Sequence, residues 1–372
     1  MKNIIILGAG LAGEITALAF ASNGIKTTIL EKTSLSFPKD IRTTALTNFS
    51  KKFLSTIGIW KELKKHIANI KDVYVVDDFS PRMIHLSDQR DEYEALGYMI
   101  ENGNFRNVIH NLAMSNELIE VKTSVDYKLE DGTITIGDNK TKPDLVIISD
   151  GRNSEARRNH FTDRFSKSYN QSAIIFNIKH EKPHDNTAIE HFMPRGPFAI
   201  LPLVNPYESG IVWTESPEVA AIYKEMPKKE LTEYLKERVG EFLGNIEISS
   251  DVSTYPLIAR ITKNYYKDNM VLIADSAHIV HPLAGQGLNQ GIKDIESLVS
   301  IISRNLSVGL KIDSSSLAEY ERSRTLDNYS MYLITDNLNR IFSNKIPIIS
   351  ELRKIGLSLI DKFPTLKKRL AL

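Results

Sequence analysis

Directly behind the apolar run Asn3 to Leu7 stands Gly8-Ala-Gly10-Leu-Ala-Gly13, and nothing else in the chain limits its fold as much. The segment after it reads as a helix. A second short strand, Thr27 to Leu30, then ends on Glu31, 18 residues past Gly13. Strand, glycine turn, helix, strand and terminal acid together form a dinucleotide fingerprint in its proper setting. Gly8 allows the sharp turn, Gly10 lets the backbone approach a pyrophosphate, and Gly13 lets the helix pack closely on the strand. The helix N-terminus offers free N–H groups and a positive dipole end to the phosphates. Glu31 would accept hydrogen bonds from an adenosine ribose, and an acid there disfavours a 2′-phosphate. The motif alone does not choose between NAD and FAD. No other segment repeats the glycine pattern behind a strand, so any second dinucleotide would bind transiently. A secretory signal is the competing reading of Met1 to Ala21, but Glu14 interrupts its apolar run.

The missing residue types narrow the chemistry further. The chain has no cysteine, which removes disulfides, thiolate nucleophiles, cysteine-ligated zinc and protein-ligated iron–sulfur clusters. Redox chemistry would have to come from a bound organic cofactor or from metals on His and carboxylates. A formal charge of +1 excludes an electrostatically driven nucleic-acid binder. That average hides a segment from Arg340 to Leu372 carrying eight Lys/Arg and two Asp/Glu. Such a basic, partly apolar segment suits either a solvated helix face or contact with an anionic membrane or a partner protein. No 18-residue uncharged apolar span exists, so no transmembrane helix and a cytoplasmic location, peripheral to the inner membrane at most, are expected.

The 372 residues suggest two domains, or one large domain with an insertion. The α/β pattern opens the chain, recurs at Leu145 to Gly151 and returns at Met270 to Asp275, each time as an apolar strand ending near an acid. Between these lie strand-rich stretches punctuated by Pro and Gly, and Asp131-Gly132 reads as a hairpin turn. The expected fold class is α/β: a discontinuous Rossmann-like domain (1–70, 97–165 and 256–305), an inserted mixed or antiparallel sheet domain (71–96 and 166–255) and C-terminal helices (306–372).

The densest cluster is Ala274-Asp-Ser-Ala-His-Ile-Val-His-Pro-Leu-Ala-Gly-Gln-Gly-Leu-Asn-Gln-Gly-Ile-Lys-Asp294. It reads as a strand ending on an acid, a Pro turn and a glycine-rich helix start, whose exposed N–H groups can stabilise negative charge. With the fingerprint and Asp150-Gly151, this order resembles the group A flavoprotein aromatic hydroxylases of para-hydroxybenzoate hydroxylase fold. His281 to Asp294 resembles more narrowly the ubiquinone-biosynthesis hydroxylase family, acting on 2-polyprenylphenol or 2-polyprenyl-6-methoxyphenol. Asp40-x-Arg42-x-x-Ala-Leu46, Leu96-Gly-Tyr98 to Asn102 and Gly196 to Leu203 match as well. Two motifs depart mildly: Ala274 and Ser276 replace Gly and Ala, and Ile148-Ser149 replaces Gly-Ala before Asp150.

The resemblance implies FAD as cofactor. NAD(P)H and O2 would be co-substrates, and a polyprenylated phenol would be hydroxylated through a flavin C4a-hydroperoxide. It implies cofactor contacts at Gly8, Gly10, Leu11, Ala12, Gly13, Glu31, Lys32, Arg42, Arg106, Asp150, Asp275, Pro282, Gly285, Gln286, Gly287, Leu288 and Asn289. Phe198, Ile200, Leu201, Pro202 and Trp213, with Phe192 and Leu203, are expected to line a channel for the prenyl tail, with ordinary core as the alternative. No general base stands out. His281 and Tyr98 are the catalytic candidates, with His278 and His191 behind them, and no metal site is expected because His278 and His281 lack a third ligand. A same-fold flavin enzyme acting on another aromatic compound, and a non-catalytic flavoprotein scaffold in a biosynthetic complex, are the competing functions.

Overall fold

Ile4-Ile-Ile-Leu7 has no polar face, and it is buried on both faces. In the computed structural model, which describes residues 2–35, 40–78, 80–87 and 95–342, strand Ile4–Leu7 is central in a sheet of six strands among the described residues. The order is Tyr266–Lys267, Met270–Leu272, Leu145–Ile148, Ile4–Leu7, Thr27–Leu30 and Ile119–Lys122. All neighbours are parallel except the first pair. Three distant stretches of chain therefore build one sheet. Helix Gln286–Ser307 packs on it through Ile292, Ile295, Leu298, Val299 and Ile302, the spacing of a single helix face.

The second large sheet runs His278–Ile279, Ser253–Thr262, Asp163–His180, Glu208–Glu215, Gly196–Pro202, Thr187–Met193, Asp72–Asp77 and Ser80–Ser87, with Ile246–Ile248 paired beside Asp163–His180. It is antiparallel except where Thr187–Met193 meets Asp72–Asp77. Asp163–His180 and Ser253–Thr262 run unbroken through the expected domain limits at 165/166 and 255/256, so these strands join the two bodies. A three-stranded sheet of Thr43–Leu46, Gly97–Glu101 and Ala68–Ile70 touches both, meeting helix Gln286–Ser307 and strand Gly196–Pro202.

Side-chain parity decides what each face of the second sheet does. Ile174, Phe198 and Trp213 stand in register across three strands, as do Phe176, Ile211 and Ile200. All six are buried beneath helices Pro217–Glu225 and Lys228–Val239 with Ala220, Leu231, Leu235 and Val239. The alternate residues, Ala173, Ile175, Ala199, Leu201, Val212 and Thr214, face the nucleotide-type sheet and border a cavity. At Asp131-Gly132 both φ angles are positive, as the hairpin turn requires. Helix Ser314–Phe342 packs along Gln286–Ser307. The basic segment read from Arg340 onward lies, from residue 343, outside the described residues. Among those described, no helix is long and apolar enough to cross a membrane.

Candidate active site

The glycine turn forms one end of a long cleft. Gly8 has φ +101°, and a Cβ there would lie 2.8 Å from the Cα of Asp150, so turn and neighbouring strand end close on each other. Gly13 serves packing, since a Cβ on it would meet the Gly8 carbonyl oxygen at 2.0 Å. Gly10 is different: a Cβ there would meet nothing within 4 Å, because that position opens on the cleft. Gly10 also caps helix Leu11–Ala21 with no side chain to cover the first N–H groups. Here the cleft is about 1000 Å³ and is bordered by Glu31, Lys32, Arg106, Tyr127, Asp150 and Gly151 among others.

Glu31 holds the turn it follows. Its Oε2 accepts from Ala9 N at 3.0 Å, and its Oε1 accepts from Thr33 N at 3.0 Å and Thr33 Oγ1 at 2.9 Å. Burial raises its pKa, but these hydrogen bonds and the Arg106 charge outweigh it and leave the carboxyl below its ordinary value. Lys32 is paired with Glu155 at 2.6 Å.

The cleft continues past Gly10, Ser149 and Gly151 into a second cavity of about 460 Å³. Leu11, Ala12, Arg42, Asp275, Pro282, Gly285, Gly287 and Leu288 form one wall, and the alternate residues of the second sheet form the other. Arg42 is paired with Asp40 at 2.6 Å and lies over the Tyr255 ring at 5.1 Å. Asp150 accepts from Ser276 Oγ at 3.2 Å, and burial raises its carboxyl, while Asp275 stays exposed to the cavity. Gly285 (φ +64°) turns the chain into helix Gln286–Ser307. Gln286 opens that helix but borders neither cavity.

An ionic network beneath this loop fixes its shape. Ala274 has φ +51°, unfavourable for a residue with a Cβ. Its N–H is held at 2.9 Å by Asp294 Oδ2, which also lies 2.6 Å from His278 Nε2. Asp294 Oδ1 accepts from Arg324 Nε at 2.8 Å and Asn328 Nδ2 at 3.2 Å. Arg324 also donates to Gln290, Asn328 and Asp327. Burial alone would raise the Asp294 carboxyl; His278 and Arg324 reverse this and bring it to about 2. Asn289 was expected at the cofactor, but its amide is engaged in the protein. It donates to Ala45 O at 2.7 Å and accepts from Thr47 N at 3.1 Å and Ser50 Oγ at 2.7 Å, tying helix to strand.

Two groups of sequence expectations need correction. Phe198, Ile200 and Trp213 do not line the cavity, because their parity turns them into the helix-covered core; Pro202 shares that parity and does not border the cavity either. Leu201 alone of the five expected there does. Tyr98 is also turned away: it is 1% exposed, edge-on to Trp60, donating to Asn48 Oδ1 at 3.2 Å and accepting from Lys51 Nζ at 3.0 Å. Its neighbour Met99 borders the cavity instead. His278 is held in the ionic network, and His191 lies 3.2 Å from Asp78. Phe192 packs beside the cavity wall with Ile84 and Leu283.

His281 does border the cavity. It is 1% exposed, edge-on to Tyr169 at 4.8 Å, and neither ring nitrogen has a hydrogen-bond partner among the described residues. Burial lowers its pKa to about 4, so the ring is neutral at physiological pH. The sequence reading missed Glu190, whose side chain also borders the cavity. Its signal was legible: it is a single acid between Ala188 and Phe192 on one face of an otherwise apolar alternation.

Comparison with known proteins agrees with this geometry. The FAD binding domain family matches residues 1–327. Ubiquinone hydroxylase UbiL of Rhodospirillum rubrum is 32% identical over 379 residues, covering 99% of this chain and 88% of that protein. Ubiquinone hydroxylase UbiM of Neisseria meningitidis is 28% identical, covering 99% and 83%. 3-Demethoxyubiquinol 3-hydroxylase of Escherichia coli is 25% identical, covering 98% and 96%. Among solved structures, p-nitrophenol 4-monooxygenase PnpA from Pseudomonas putida superposes with a TM-score of 0.80 at 16% identity, covering 100% of this chain and 96% of that one, which shows a shared fold.

Proposed function

We propose that this chain, which belongs to the FAD binding domain family and within it to the ubiquinone-biosynthesis hydroxylases, hydroxylates the aromatic ring of a polyprenylated phenol in ubiquinone biosynthesis. FAD is its cofactor, and NAD(P)H and O2 are its co-substrates. The observation that carries this reading is the apolar-walled cavity of about 460 Å³ opening directly from the dinucleotide cleft.

The residues fit FAD. Gly10 leaves open space where any side chain would block a pyrophosphate, and Glu31 closes the opposite end as a ribose acceptor. In this reading Gly8, Gly10, Leu11 and Ala12, with Glu31, Lys32 and Arg106, hold the adenosine and phosphates. Arg42, Asp150, Asp275, Pro282, Gly285, Gly287 and Leu288 hold the flavin end. When bound, FAD supplies the transfer of electrons from NAD(P)H to O2. In this reading Asp275, in the cavity wall, accepts from a ribityl hydroxyl, and the N–H groups that open helix Gln286–Ser307 stabilise developing negative charge. Ala173, Ile175, Ala199, Leu201 and Val212 exclude water and orient the ring. His281, neutral and buried beside Pro282, shapes the loop as a polar but uncharged wall.

Added prenylphenol should accelerate NAD(P)H oxidation by the yellow protein and yield a product 16 mass units heavier. Oxidation without that product would defeat the substrate assignment; failure to take up flavin would defeat the whole reading. The membrane role of the +6 segment from Arg340 rests on composition alone. Deleting Pro364 to Leu372 should weaken liposome binding with flavin content unchanged, and equal binding would retire it.

A further inference from the structure

Glu190 is an acid in the cavity wall, on the sheet side, whose carboxyl no other side chain engages among the described residues. It lies in strand Thr187–Met193, opposite Ala199 on one side and Val75 on the other. The neighbours on its face are apolar: Ala188 packs with Met99, Ile70 and Leu201, and Phe192 packs with Ile84 and Leu283. No hydrogen bond or ion pair reaches its carboxyl among the described residues. It keeps some accessible surface because it borders the cavity, yet the surrounding protein desolvates the carboxyl and pushes it up to about 8.

Several charged or titratable groups belong to the elements around it. Arg42, Arg152, Asp275 and His281 share the cavity wall, and Arg42 is paired with Asp40. Asp77 lies on the same face of Asp72–Asp77, two residues beyond Val75. His191 and its partner Asp78 belong to the opposite face of the strand. Burial is the only cause acting on Glu190. A leucine would pack there without the desolvation penalty, so the carboxyl needs a ligand to explain it.

We propose that Glu190 accepts a hydrogen bond from the hydroxyl group of the phenolic ring and takes its proton as the ring is oxidised. The inference rests on the phenol reading of the cavity given above. The phenol O–H bond breaks, its proton passes to a Glu190 carboxylate oxygen, and its electron pair moves into the ring toward the carbon that receives oxygen. That oxygen atom comes from O2, whose second atom leaves as water with electrons from NAD(P)H. When the ring regains aromaticity, its displaced C–H proton goes to solvent and the Glu190 proton returns to the phenolate oxygen.

The test uses the FAD-loaded enzyme and a short-tailed 2-prenylphenol beside its methyl ether, which lacks the donor. Binding is read from the perturbed flavin spectrum between pH 6.5 and 9. In the parent enzyme the preference for phenol over ether should grow about fivefold as Glu190 ionises. In E190Q the preference should be flat, and single-turnover hydroxylation should fall about 100-fold without a rise through pH 8. E190D keeps the carboxylate and should restore the pH-dependent limb, which a purely structural role would not do. Binding of both ligands with equal, pH-independent preference in the parent, or an unchanged profile in E190Q, overturns the Glu190 role and leaves the cavity assignment standing. If neither ligand binds at any pH, the phenol reading falls, and this proposal falls with it.

Discussion

Two histidines three residues apart, and two desolvated acids, have opposite surroundings. His278 and Asp294 lie in a closed network, where each carboxylate oxygen has two donors and the carboxyl sits at about 2. His281 and Glu190 border the cavity without partners, and burial moves them to about 4 and about 8. Both pairs are desolvated; only partnering differs. The first region holds its charge in place and fixes a strained turn at Ala274, while the second keeps its polar groups neutral and available. Rigidity beneath the loop and unsatisfied capacity at the cavity wall thus use the same residue types.

This contrast is open to attack in several ways. The largest effect should come from Asp294→Ala, which takes from the buried Arg324 guanidinium one of its two carboxylate partners and leaves the Ala274 N–H without its acceptor. Thermal denaturation should show a loss of roughly 3–5 kcal/mol, together with weakened flavin retention. A shift within error would mean that the network does not hold the loop. Next, Gly10→Val adds a side chain only to open cleft. Flavin affinity should fall on the order of 100-fold, about 2.7 kcal/mol, while the apoprotein melts as before. A lower apoprotein melting point would show that the open space is filled by protein.

The pH dependence of stability separates the two regions directly. Glu190, raised from 4.5 to about 8, gives stability that is full below pH 4.5 and is lost as pH rises through 8. His281, lowered from 6.5 to about 4, gives stability that is present above pH 6.5 and lost as pH falls through 4. Asp294, lowered from 3.8, loses its contribution only as pH falls toward 2. Urea titrations should therefore show E190Q flattening the alkaline arm and His281→Gln the acid arm, by at most roughly 5 and roughly 3 kcal/mol respectively. Unaltered arms would place both groups in water.

Smaller effects test parity and the displaced candidate. Trp213→Phe should cost roughly 1–1.5 kcal/mol of stability with KM unchanged, whereas Val212→Phe, one residue away, should raise KM with little change in melting. Equal KM effects would contradict the assigned faces. Tyr98→Phe should cost about 1 kcal/mol for its bonds to Asn48 and Lys51 and leave turnover as it was; slower turnover would bring Tyr98 back toward the chemistry.

The glycine turn was readable in advance because its demands are local. Gly8, Gly10 and Gly13 are dictated by a backbone path a few residues long, and Ile4–Leu7 announces a strand buried on both faces. The cavity wall was not, because strand Gly196–Pro202 is apolar on both faces and alternation cannot say which one a helix covers. Residue size held the missing signal: Phe198, Ile200 and Trp213 fill the core, while Ala173, Ala199, Val212 and Thr214 leave room. The ordered motifs from Gly8 to Asp294 thus determined by themselves the dinucleotide fold and the flavin family. Only tertiary packing decided that Asp294 would be paired and Glu190 left alone in an apolar cavity. Desolvation and partnering come from side chains that separate elements bring together, Asp294 with Ala274, His278, Arg324 and Asn328, and Glu190 with Ala199 and Val75, and no local pattern records them.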